Sequence, residues 1–152
     1  MIFVLLLAHG LAAVALLGAL THQIVGQFWG IRGERRTFVK AFRGVRAGAY
    51  PNAVVALYVT TFVLGAFIYP DFRVDVRKIW DVENPKATGS FEIKEHFGAI
   101  GMAILPAYWY VWCRDAGGSA ALARSMLTLV LSLIVWCSFL LGHVLNNLEG
   151  LS

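Results

Sequence analysis

Charge is scarce in this sequence. Only 14% of its 152 residues are Asp, Glu, Lys or Arg, while 59% are hydrophobic. A soluble domain of this size carries about 25% charged residues. The polar surface is therefore too small to cover a water-soluble globule, and lipid is the expected solvent for most of the chain. Cysteine is nearly absent: Cys113 and Cys137 both fall in hydrophobic stretches and form no C-x-x-C pair. That excludes a disulfide framework and a zinc finger. Phosphate-binding and dinucleotide-binding glycine patterns are missing, and so is a Gly-x-Ser-x-Gly elbow. Nothing in the pattern points to nucleic acid. The hydrophobic runs also lack rows of polar residues, which argues against a water-filled channel.

Long apolar runs are what the sequence does contain. Four stand out, over 2–28, 53–69, 91–113 and 122–147. Each is near the roughly 20 residues a helix needs to cross the hydrocarbon core. Backbone groups in lipid must be satisfied within their own segment, so the runs are expected to be helices. The first, Ile2 to Leu20 and onward, lacks the basic n-region of a secretory signal and reads as a retained span. The expected fold is an all-α integral membrane protein, a four-helix up-down bundle forming a single domain over 1–152. Pro51 suits the first turn of the second helix. Tyr69-Pro70-Asp71, Asn84-Pro85 and Gly89 mark an outer loop over 70–90, and Ser90 is the expected N-cap of the third helix. Pro106 falls inside the third run, where a kink is expected.

Lys and Arg set the orientation. The first loop holds Arg32, Arg35, Arg36, Lys40, Arg43 and Arg46, and the third adds Arg114 and Arg124. The second loop holds Arg73, Arg77, Lys78, Lys86 and Lys94, offset by Asp71, Asp75, Asp81, Glu83, Glu92 and Glu95. The first group belongs on the cytoplasmic side of a bacterial inner membrane, which puts both termini on the outer side. The alternation Phe38-Val39-Lys40-Ala41-Phe42-Arg43 fits an interfacial helix, although a plain positive-inside loop accounts for it as well.

Four histidines remain. His9 lies early in the first run, His96 at the start of the third and His143 near the end of the fourth. Alternating spans bring these three to the same, outer, side and to similar depths at about 1.5 Å per residue. Intramembrane ionisable residues usually face the bundle interior and mark cofactors or relays. Imidazole is a ligand that iron, copper and zinc all accept. With Phe67, Phe97 and Phe139 as an apolar jacket, and Gly98, Gly101 and Gly142 as room for a macrocycle, one haem b is the expected cofactor. His9 and His143 are the expected axial pair, with His96 as the alternate.

On the four-span plan and on His9, His96 and His143, the chain resembles the small four-helix membrane cytochromes b, whose histidines on facing helices clamp haem. That resemblance implies an electron-transfer subunit working between a quinone and a partner on the outer face. His22 has no histidine to pair with at its own end, and it lies on a Gly18, His22, Gly26, Gly30 stripe of the kind along which membrane helices pack. Two alternatives stand beside the cytochrome. Glu92, Glu95 and His96 share one helix face and, with His9 and His143, form a candidate non-haem metal set in a metal- or porphyrin-handling oxidoreductase. The third reading is a cofactor-free accessory subunit, assembled with other membrane subunits or with copies of itself. A cluster at Tyr108, Trp109, Tyr110 and Trp112 reads as an interfacial aromatic belt, and Asn146 and Asn147 as C-terminal caps.

Overall fold

The computed structural model describes residues 2–28, 47–114 and 119–149. The basic segment with its candidate interfacial helix, and most of the turn before the fourth run, lie outside the described residues. The described chain forms α1 (Ile2–Phe28), a 3₁₀ turn (Ala47–Ala49), α2 (Pro51–Asp75), α3 (Arg77–Glu83), α4 (Pro85–Cys113) and α5 (Ser119–Glu149).

The starts of these helices follow from local chemistry. Pro51 opens α2 and Pro85 opens α4, where a missing N–H removes nothing from the helix. Asn84 caps α4, its Oδ1 accepting from the Ala87 N–H at 3.3 Å. Pro70 lies inside α2 and Pro106 inside α4. The stretch read as an outer loop, 70–90, is therefore mostly helical. α2 continues past Pro70 to Asp75, and Ser90 sits within α4 instead of capping it. Aromatic packing accounts for this: Phe72 stacks on Phe91 with centroids 4.1 Å apart and meets the edge of Trp80 at 5.4 Å. Trp80, Ala87 and Leu145 are buried together beneath them. Three rings from three helices bury enough apolar surface to order a segment whose punctuation suggests turns.

Each long helix packs against two others, in the ring order α1, α2, α4, α5 and back to α1. Neighbours run antiparallel. His9 meets Thr61 while His22 meets Tyr50, and Trp109 meets Asn52 while Tyr58 meets Gly98. The central core draws Leu16 and Leu20, Val54 and Tyr58, Leu105 and Tyr108, and Leu131 and Val135 from the four helices in turn.

Outside that core the surface is apolar: Phe3 is 74% exposed and Phe67 67%. Apolar exposure on this scale marks a surface made for lipid. α1, α2 and α5 are long and apolar enough, by length and composition, to cross a membrane. α4 is as long, but Gly98, Gly101, Pro106 and its Tyr and Trp cluster dilute its apolar content.

Polar groups inside the bundle tie the helices together. Tyr108 donates to Gln23 Oε1 at 2.6 Å, and both residues are fully buried. Trp112 Nε1 donates at 3.1 Å to the Thr128 hydroxyl, which in turn donates to the Arg124 carbonyl at 2.7 Å. Trp136 Nε1 donates to the Thr21 hydroxyl at 3.1 Å. Interhelical bonds of this kind contribute about 0.6 kcal/mol each in lipid, because the separated helices also find partners.

Candidate functional site

The His9 end of the bundle is built from the start of α1, the end of α2, α3, the start of α4 and the end of α5. His9 is half-buried between α1 and α2. Its Nδ1 lies 3.0 Å from the Thr61 carbonyl oxygen. A carbonyl only accepts, so Nδ1 carries the proton and Nε2 is the ring's acceptor. A Cβ on Gly65 would stand 3.3 Å from the His9 ring, so glycine there lets the imidazole lie flat against α2.

The other two histidines at this end, His96 and His143, point elsewhere. His96 is exposed, and its Nδ1 donates at 2.7 Å to the Glu92 carbonyl one turn back on its own helix. His143 is exposed too. Asn147 Nδ2 donates both to His143 Nε2 at 3.2 Å and to the His143 carbonyl at 2.9 Å. Asn147 is thus tied to His143 inside α5, which continues to Glu149. His9, His96 and His143 share one end of the molecule but not one centre. Among the described residues no three His, Cys, Asp or Glu side chains come together as a set able to hold a metal ion. The trio expected from the sequence, with or without Glu92 and Glu95, does not converge within a single chain.

Glu92 is engaged otherwise. Arg77 donates to its carboxylate and, at 3.1 Å, to the Tyr69 hydroxyl, with Asp81 at 3.9 Å on the other side of the guanidinium. Desolvation works against the Arg77 charge, but Tyr69, Glu92 and Asp81 outweigh it and raise the pKa above its ordinary value. This clamp joins α2, α3 and α4 above the stacked rings of Phe72 and Phe91. Glu95 keeps company with Lys94, whose ammonium lies 4.6 Å from the centre of the Phe91 ring. Lys94 reaches the face of α5, where a Cβ on Gly142 would meet its Cδ at 4.0 Å, and it is near enough to His9 for the two to interact electrostatically.

The space expected beside a macrocycle is also taken. A Cβ built on Gly101 would fall 1.8 Å from the Tyr58 hydroxyl, and that hydroxyl donates to the Gly98 carbonyl at 3.1 Å. Gly101 of α4 lets Tyr58 of α2 lie across it.

His22, read as a packing residue, stacks on Tyr50 with centroids 4.9 Å apart. Sequence reasoning overlooked Tyr58 and Gln23, and it placed Tyr108 in an interfacial belt although the residue is fully buried against Gln23. The signal for Gln23 was available, since an amide within a 27-residue apolar helix needs a partner. Lys94 was counted only as a loop charge, and nothing in its spacing says that it turns inward. Comparison with family models, curated proteins and solved structures finds no match to the chain.

Proposed function

We propose that the chain crosses a bacterial inner membrane four times, with both termini outside, and serves as an accessory subunit of a larger membrane complex. The fourth span in this reading is α4. Its contacts run from Lys94 against Gly142 to Trp112 against Thr128, a rise of about 27 Å at 1.5 Å per residue, close to the hydrocarbon thickness.

The observation that carries the accessory role is the outward placement of His96 and His143. These two side chains are held by bonds within their own helices, and His9 is bonded across to Thr61 of α2. The polar groups that do enter the bundle are used to hold helix to helix. Native purification in lipid nanodiscs tests this reading. The tagged chain should elute in one assembly with a partner in fixed stoichiometry, and deleting it should lower the abundance of that assembly. A chain that elutes alone from gently solubilised membranes, with no assembly altered by its deletion, overturns the reading.

A second reading, the b-type cytochrome, is favoured by His9 alone. Its Nδ1–H is engaged by a backbone carbonyl, the arrangement that orients metal-bound imidazoles and raises their basicity. In that reading His9 is a haem ligand, and the chain passes electrons between a quinone and an outer partner. About one haem per chain by the pyridine haemochrome method, lost in His9→Ala, supports it. A colourless protein as isolated and after dithionite removes it.

A further inference from the structure

α3 is a short helix of seven residues, and it turns back beside the helix it follows. α2 ends at Asp75. Trp80 lies beyond that end, yet its ring stands 5.4 Å from the ring of Phe72, which lies before it. The Arg77 guanidinium reaches further back, to the Tyr69 hydroxyl at 3.1 Å, and it also holds Glu92 of α4. α3 is thus tied beside the last turns of α2 and not above them. Those turns belong to a stretch, Pro51–Asp75, that is long and apolar enough to cross a membrane. The level to which the chain ties α3 is therefore the membrane surface.

The faces of α3 divide accordingly. Trp80 points inward and is buried with Ala87 and Leu145. At about 100° per residue, Val82 stands roughly 160° from Trp80, and Ile79 is about 60° from Val82. Val82 is 83% exposed and Ile79 53%, so two branched apolar side chains point away from the bundle. On α2, Phe67 and Val74 lie close to two full turns apart, on one face, and both are exposed. The lipid-facing stripe of α2 thus runs on to the end of that helix, to the level where α3 lies. Lys78 is exposed about 40° from Val82, while Asp81 is turned to Arg77 at 3.9 Å. Exposed apolar residues with a lysine beside them, held at the membrane surface, are the features of a helix seated in the interface. We propose that α3 is a membrane-surface anchor at the His9 end, with Ile79 and Val82 set into the boundary between headgroups and acyl chains. The anchor rests on α2 crossing the membrane, and on neither the accessory role nor haem.

The test uses the full chain in phosphatidylcholine nanodiscs, with the free cysteines removed by Cys113→Ala and Cys137→Ala. Val82→Cys then carries a single fluorophore. Its emission is read against lipids spin-labelled near the headgroup, lipids spin-labelled at the chain end, and aqueous iodide. Headgroup-level spin labels should quench it at least about twice as strongly as chain-end labels, and iodide should quench it several-fold less than free dye. Ile79→Cys reads the same face and should give the same order even if Val82→Cys fails to fold. Phe67→Cys lies deeper, so chain-end labels should quench it more strongly. Lipid quenching at Phe67→Cys, with labels at 79 and 82 as open to iodide as free dye, overturns the anchor alone and turns this face to water. Labels at 79 and 82 shielded from iodide and from both lipids also overturn it, placing a second copy of the chain over the patch. Without lipid quenching at Phe67→Cys the membrane reading itself fails, and the anchor with it.

Discussion

Replacing Gly101 with alanine adds one methyl group where there is no room for it. The new Cβ would stand 1.8 Å from the Tyr58 hydroxyl oxygen and 2.6 Å from the ring carbon that bears it. Ordinary carbon contacts need about 3.5 Å, so the ring must retreat by an ångström or more. Tyr58 is only 4% exposed and packs in the central core with Leu105 and Val54, so it cannot swing aside without disturbing them. Overpacking of this kind costs about 1–3 kcal/mol. Losing the Tyr58 bond to the Gly98 carbonyl adds about 0.6 kcal/mol. The expected loss for Gly101→Ala is therefore about 2–4 kcal/mol. Gly98→Ala, three residues away, is the control: its Cβ would meet Phe62 at 3.8 Å, an ordinary contact, so its cost should be near zero. Tyr58→Phe in the Gly101→Ala background removes the nearest atom but leaves the ring carbon, and should restore part of the loss. Reversible unfolding in mixed micelles, followed by circular dichroism, reads all three. A Gly101→Ala protein within about 0.5 kcal/mol of the native one would refute the reasoning, because that is the range of substitutions that touch nothing.

The polar contacts make further predictions. Tyr108→Phe leaves the buried Gln23 without its hydroxyl partner and should cost about 1 kcal/mol; Gln23→Leu in the same background should recover most of it in a double-mutant cycle. Arg77→Gln breaks the clamp to Glu92 and Tyr69, whose partners are partly exposed. Its cost should be small and shrink further in 1 M salt, and a large loss that salt leaves unchanged would contradict a surface clamp. Gly65→Ala crowds the His9 ring at 3.3 Å and should move its imidazole resonances in NMR spectra while leaving those of His143 in place.

Much of the scaffold was legible from hydropathy alone. The first run, 2–28, coincides with α1, and the four runs became the four antiparallel helices. The stretch 70–90 was misread because Pro70, Asn84-Pro85 and Gly89 are turn signals taken one at a time. In the fold Pro85 starts a helix, and Phe72, Trp80 and Phe91 supply a packing reason that spacing does not reveal. The histidines divide in the same way. Their common end follows from counting residues along alternating helices. Their azimuth depends on how each helix rolls against its neighbours, and that turned His9 toward α2 while leaving His96 and His143 exposed. Gly101 was read as room beside a macrocycle, but its neighbour in the fold is Tyr58, which the sequence around Gly101 does not announce.

The number of crossings bears most directly on this account, since α1, α2 and α5 are apolar enough to span by composition and the crossing by α4 is the proposed one. Reporter fusions to the two termini, one reporter active only in the cytoplasm and one only outside it, decide the matter. Four crossings predict that both termini report from the same, outer, side and that a fusion within 29–46 reports from the cytoplasm. Termini on opposite sides would mean three crossings, with α4 outside the membrane plan and the bundle described here not the one that lipid surrounds.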